Sequence, residues 1–114
     1  MKKGPLAEAQ VVACLQEHGF PYAERRVMGG RNDRGDVAGI PGVVIEVKNQ
    51  TAMDLAGWVD EAGTEAWGGL QPDGVAAVGV VWHKRRGKGD PLDWYVTMTG
   101  RDFLALLAEY TREA

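Results

Sequence analysis

Apolar residues recur every three or four positions between Pro5 and about Glu17, where Ala7, Val11, Cys14, Leu15 and His18 mark one side of a helix and Pro5 suits its first turn. "HGFPY" ends that pattern, and "AERRV" alternates as a short strand. "MGGRNDRG" then reads as a glycine-rich turn or loop. "DVAGI", the tight turn at Pro41 and Gly42, and "VVIEVKN" predict a strand, a turn and a longer strand that pairs with the first as a hairpin. The β-branched run from Val43 to Val47 predicts a central, well-buried strand.

Thr51 with Asp54 three residues on is a helix-start signature for about Ala52 to Gly68, with Leu55, Trp58, Val59, Ala62 and Ala66 on the apolar side. Gly57 and Gly63 each cost that helix about 1 kcal/mol relative to alanine, which predicts close approach of the sheet or of a second subunit. "QPDG" predicts a turn, "VAAVGVVWH" a buried strand, "KRRGKGDP" a basic loop and "DWYVTM" another strand. Thr99 with Asp102 opens a last helix, where Phe103, Leu104, Leu106, Leu107 and Tyr110 are expected to pack one side. Helix, three strands, helix, two strands, helix is the order of a single α/β domain over residues 1–114, with a central mixed sheet flanked by helices.

The 114 residues, 45% of them hydrophobic, suffice for one core and are too few for two ordinary domains. "MKKGPLAEAQ" lacks the apolar segment of a signal peptide, and no apolar run approaches the ~18 residues of a membrane span, which predicts a soluble, cytoplasmic protein. The lone Cys14 falls within the first helical stripe and is expected to be a small buried hydrophobe. A net charge of −3 argues against a protein that merely coats nucleic acid. The cations are nonetheless clustered: Arg25, Arg26, Arg31 and Arg34 in one group, Lys84, Arg85, Arg86 and Lys88 in another.

Side chains alternate across a strand, so Glu46, Lys48 and Gln50 share one face while Ile45, Val47 and Asn49 share the other. A glutamate and a lysine on a mostly apolar strand need compensation, either as a structural ion pair or around a divalent cation with its water and a phosphate. Asp36, at the head of the preceding strand, brings a second carboxylate toward Glu46. Oxygen ligands suit Mg²⁺ or Mn²⁺, and no His or Cys pair stands at zinc spacing. Glu8 lies at the edge of the first helical stripe, where it could face the sheet or serve as a first-turn acid favoured by the helix dipole.

"RGDVAGIPGVVIEVKNQ" resembles the active-site signature of the PD-(D/E)XK nuclease superfamily, an aspartate followed after a loop by Glu-x-Lys. A short chain of this element order with an early helical glutamate is similar to the archaeal and phage Holliday junction resolvases. The resemblance implies a restriction-endonuclease-like fold and a Mg²⁺- or Mn²⁺-dependent endonuclease of DNA recombination and repair that cuts four-way junctions as a homodimer. It implies Asp36, Glu46 and the Val47 carbonyl as metal ligands, Lys48 as the water-positioning cation, Glu8 as the helical acid and Gln50 as an accessory residue. Glu17 and Glu24 are other candidates for that acid. Gly35 stands where the superfamily name has proline.

Arg25, Arg26, Arg31, Arg34 and the Lys84 to Lys88 loop are then expected to meet DNA phosphates on either side of the metal site. His18 and His83 read as element-end residues, and Trp58, Trp67, Trp82 and Trp94 as core or interface residues. Rival functions are a nicking, flap-cutting or restriction-type nuclease of the same superfamily, a noncatalytic DNA-binding module, and an interaction protein whose basic loop takes an acidic partner.

Overall fold

The computed structural model describes residues 3–26, 35–67 and 77–112. In chain order it comprises α1 (Lys3–Glu17), β1 (Glu24–Arg25), β2 (Val37–Ala38), β3 (Val43–Lys48), α2 (Leu55–Trp67), β4 (Val78–His83), a turn of 3-10 helix (Pro91–Asp93), β5 (Tyr95–Thr97) and α3 (Gly100–Thr111). Arg31 and Arg34 and the whole "QPDG" turn with its flanks lie outside the described residues.

The valine-rich runs β3 and β4 pair in parallel over six positions, from Val43 opposite Val78 to Lys48 opposite His83. β5 adds to β4 antiparallel, with Trp82 opposite Val96 and His83 opposite Tyr95, so the three form a mixed sheet in the order β3-β4-β5. The central strand is therefore β4 and not β3. β1 and β2 form a separate two-stranded antiparallel ribbon. The expected hairpin ladder between the Asp36 and Glu46 segments is reduced to the bond from the Asp36 amide to the Ile45 carbonyl, while β2 pairs with β1.

Alternation along the strands sorts the core into two layers. Ile45, Val47 and Val80 face α1, where they pack with Ala7, Val11, Val12, Leu15 and Trp94. On the opposite face Val81 packs with Trp58 and Ala62 of α2, and Val44 with Ala66. Cys14 is buried in α1 as expected, and burial raises its thiol pKa above the ordinary 9.0. His18, by contrast, is exposed, and its Nδ1 donates to the Cys14 carbonyl at 2.7 Å.

Helix α2 starts later than Thr51 and Asp54 suggest. Asp54 itself is the cap, its Oδ1 accepting from the Gly57 amide at 3.3 Å. The close approach expected at Gly57 or Gly63 is supplied instead by Gly79 of β4, where an added Cβ would stand 2.2 Å from the Ala62 carbonyl oxygen. Gly63 has open space around it. The Thr99 start of α3 is as read: Thr99 Oγ1 accepts from the Asp102 amide at 3.1 Å, and the Asp102 carboxylate accepts from the Gly79 amide at 2.9 Å. That bond satisfies β4 where the short β5 does not reach. Otherwise α3 stands clear of the body. Phe103, Leu104, Leu106, Leu107 and Tyr110 are 39% to 86% exposed, so the expected packing of that stripe is not made among the described residues. No helix of the described residues is long and apolar enough to cross a membrane.

The two glycines at the α2/β4 contact should respond with opposite signs. Gly79→Ala forces backbone against backbone and is expected to lower unfolding free energy by about 2 kcal/mol or more. Gly63→Ala fills open space on a helix and is expected to raise it by up to about 1 kcal/mol. Urea unfolding of both variants distinguishes this tight contact from a loosely packed one, in which the two would shift alike.

Candidate functional site

Glu46 sits near the middle of β3 on the α2 face, only 5% exposed. One turn apart on α2, Glu61 and Glu65 project toward the same place, and carboxylate oxygens of Glu46, Glu61 and Glu65 lie within 4.8 Å of one another. Asp36 approaches along the outer edge of β3. Its amide donates to the Ile45 carbonyl at 2.7 Å, and its Oδ2 accepts from the Val47 amide at 2.7 Å. Side chain and backbone of Asp36 thus clasp a strand edge that has no ladder partner there.

Gly35 makes the clasp sterically feasible. Its φ of 76° is in the left-handed region, and a Cβ would meet the Ile45 carbonyl oxygen at 2.6 Å. Proline, fixed near φ −65°, could not take this conformation. The departure from the superfamily's name is thus a requirement of how this chain brings Asp36 to β3.

Three carboxyl groups so close, with the Asp36 carboxylate near enough to add its charge although it stands outside the cluster, strongly disfavour full ionisation. Burial, a hydrogen bond with Glu65, and the charges of Asp36, Glu65 and Glu61 together push the Glu46 carboxyl from 4.5 up to about 10. Without a cation Glu46 is therefore protonated at neutral pH. Glu65 Oε2 is buried and has no hydrogen-bond partner among the described residues. An orphaned carboxylate oxygen beside a carboxyl held neutral is what an all-oxygen donor set presents when a hard cation is missing, so these residues fit Mg²⁺ or Mn²⁺. A residue's N–H and C=O leave a strand on the same edge. The Val47 carbonyl accordingly faces the side on which Asp36 lies.

Lys48 points to the same face as Glu46 but pairs with Glu61, Nζ to Oε2 at 3.8 Å. Gln50 is exposed just beyond the strand. Glu8 is placed elsewhere: α1 packs against the Ile45 and Val47 face, opposite Glu46, and the Glu8 carboxylate accepts from Arg25 at 3.0 Å. The helical acids beside Glu46 come from α2 instead. Glu61 and Glu65 were not singled out in the sequence, although Glu65 falls roughly 20° from Trp58 around the helix and therefore at the border of the apolar stripe. Of the other acids weighed, Glu17 and Glu24 are exposed.

The second basic group lies at the same end of the sheet as Lys48. The Lys84 amide donates to the Lys48 carbonyl at 2.9 Å, so the loop leaves β4 directly beside the end of β3. Lys84 Nζ sits 5.8 Å from the Trp94 ring centroid and Arg85 4.6 Å from that of Tyr95, while Arg86 and Lys88 are exposed. Trp94 Nε1 donates to the Lys88 carbonyl at 2.8 Å and Trp82 Nε1 to the Pro91 carbonyl at 3.1 Å, tying the loop back to the core. In the first basic group, Arg25 is bound to Glu8 and the Arg26 amide donates to the Asp36 carbonyl at 3.0 Å. Trp58 and His83 are buried, with ring centroids 6.4 Å apart. No family model, no curated protein and no solved structure matches this chain.

The raised Glu46 pKa fixes a pH dependence. The folded state holds this proton more tightly than the unfolded chain does, so the group's contribution is complete below about 4.5 and is lost as pH rises toward about 10. Burial lowers the His83 pKa from 6.5, so its contribution is complete above that value and is lost only at lower pH. Between about pH 7 and 8.5 the metal-free protein is expected to lose stability steadily, and Glu46→Gln to flatten the slope. Melting temperatures across that window in EDTA test it; a wild-type protein with no slope would show that Glu46 ionises freely.

Proposed function

We propose that this chain is a divalent-metal-dependent endonuclease of the PD-(D/E)XK type that hydrolyses phosphodiesters in branched DNA. The observation carrying the reading is the buried Glu46 carboxyl, held neutral among Asp36, Glu61 and Glu65 on a strand that also presents Lys48. A structural ion pair needs one carboxylate, and Lys48 already has Glu61. The surplus of acid oxygens around the buried Glu46 would be accounted for by a cation.

In this reading Asp36, Glu46 and the Val47 carbonyl would hold Mg²⁺ or Mn²⁺, with Glu65 and Glu61 taking the role first assigned to Glu8. The bound cation supplies a water of lowered pKa and steadies negative charge on the phosphoryl oxygens. Glu46 gives up its proton on loading, so affinity rises with pH. Lys48, on the same face, turns from Glu61 to the scissile phosphate or the attacking water. Lys84, Arg85, Arg86 and Lys88 lie at the end of the sheet where Lys48 emerges and steer the DNA backbone toward it.

A four-way junction carries two strands to cut, and a two-fold pair of small subunits supplies two sites. Trp58 of α2 is 5% exposed in the core and so is not itself offered to a partner. Phe103, Leu106, Leu107 and Tyr110 of α3 instead present a stripe at helical spacing, with Leu104 at its flank. Taking about 200 Å² for a fully exposed large side chain, these five residues offer roughly 550 Å² per copy. A symmetric pair buries roughly 1,100 Å², just above the roughly 1,000 Å² that a specific interface needs.

With labelled four-way junction, flap and linear duplex, Mg²⁺-dependent cutting near the branch point is expected, abolished by EDTA and reduced about 100-fold or more by Asp36→Asn or Lys48→Ala. Binding without cutting would favour a noncatalytic module; cutting without junction preference would assign the chemistry to another nuclease type. Absence of any DNA binding would leave the basic loop to an acidic protein partner.

Light scattering at tens of micromolar should give a dimer for the wild type and a monomer for Leu107→Glu. A wild-type monomer would remove α3 from the proposal.

A further inference from the structure

Across the α2 face of the sheet, Lys48 stands opposite His83, and His83 opposite Tyr95. The three side chains form one rung, and two strand spacings put Tyr95 about 10 Å from Lys48. His83 is fixed from two sides, by its hydrogen bond with Thr97 Oγ1 at 2.9 Å and by the Trp58 ring. The Tyr95 ring meets His83 edge-on at 6.0 Å and 64°, yet Tyr95 is 55% exposed. Arg85 lies over that ring at 4.6 Å, and its Nη1 donates to the Asp93 carbonyl at 3.0 Å.

A guanidinium that serves only phosphates gains from reaching freely into solvent. Arg85 instead is anchored through one nitrogen and positioned over an aromatic ring that meets His83, whose own ring lies against Trp58. Guanidinium and aromatic planes arranged this way are the surfaces on which unpaired bases stack. We propose that Arg85 and Tyr95 form a stacking subsite for an unpaired nucleobase of a DNA strand whose backbone passes Lys48. The subsite rests on the nucleic-acid reading above and deepens it, since it selects strands with unpaired bases one to three nucleotides from the scissile phosphate, given about 3.4 Å per nucleotide in a stacked strand and more when it is splayed. It also separates the roles within the loop: Arg86 and Lys88, both exposed, serve phosphates, while Arg85 reads whether a base is present.

The test compares two branched duplexes that differ at one place, a short single-stranded arm of thymidines against the same arm made abasic, so that phosphates are kept and bases removed. Fluorescence anisotropy in Ca²⁺, which holds the DNA without supporting cleavage, gives the ratio of the two affinities. The wild type is expected to favour the thymidine arm about tenfold, the worth of one stacked base. Arg85→Lys keeps the charge and loses the plane; Tyr95→Leu keeps apolar bulk and loses the ring. Both should bring the ratio close to one. A ratio near one in the wild type, or a ratio unchanged in both variants, overturns the subsite even if the protein cuts junctions in Mg²⁺. A ratio that depends on Arg85 in a protein that never cuts DNA upholds the subsite and removes the nuclease reading. Failure to bind either DNA removes both.

Discussion

A carboxyl group buried on a valine-rich strand is the constraint around which the rest of this molecule is arranged. An ionised Glu46 without compensation would be prohibitive in such a place, so the fold must keep it neutral or give it a cation. Glu65 supplies a hydrogen bond, which requires α2 to lie close over β3 and β4. That approach is close enough that β4 carries glycine at position 79, under the Ala62 carbonyl. Gly79 in turn leaves an amide that β5 is too short to reach, and Asp102 takes it from the first turn of α3. One acid near the middle of a strand thus propagates through helix, glycine and second helix by ordinary demands of hydrogen bonding and close packing.

The other edge of the site obeys a complementary demand. β3 is the outer strand of its sheet, and an unpaired strand edge beside a charged cluster would invite water or a second chain. Asp36 closes it with its backbone and its carboxylate at once, and Gly35 gives the clasp room. The same carboxylate that caps the strand also raises the pKa of Glu46, so edge protection and site electrostatics are carried by one residue.

Much of this was legible in the chain because local periodicity and strand alternation are short-range properties. α1, α2 and α3 follow from apolar spacing and, for α3, the Thr99 cap. β3 and β4 follow from their valines, and the Glu46 and Lys48 face from alternation alone. What escaped is long-range. Residue spacing does not tell which of two buried strands is central, and a Pro-Gly turn does not reveal that β2 will pair with β1. Glu8 and Glu65 both sit at the border of an apolar helical stripe, and only the side of the sheet on which each helix packs separates them. α2, between β3 and the parallel strand β4 in the chain, lies on one face, while α1 covers the other with Ile45 and Val47 beneath it. The exposed stripe of α3 escaped for a different reason, since a pattern of apolar residues shows that a face is to be covered but not whether one chain does the covering.

The distance between Lys48 and Glu61 joins structure to function. At 3.8 Å the pair is at the outer limit of a salt bridge, and Glu61 is half exposed. Such a pair contributes little to stability, because solvent screening and side-chain entropy offset most of the attraction. A lysine meant only to neutralise the buried acids would be better placed against Glu46 itself, where desolvation strengthens the interaction. Its loose hold on a surface acid keeps Lys48 oriented toward the cluster, and in the proposed reading it would let the ammonium exchange Glu61 for a phosphate oxygen. Alternation sends glutamate and lysine, two residues apart, to one face, and the helix above gives each its own partner: Glu65 for the acid and Glu61 for the lysine.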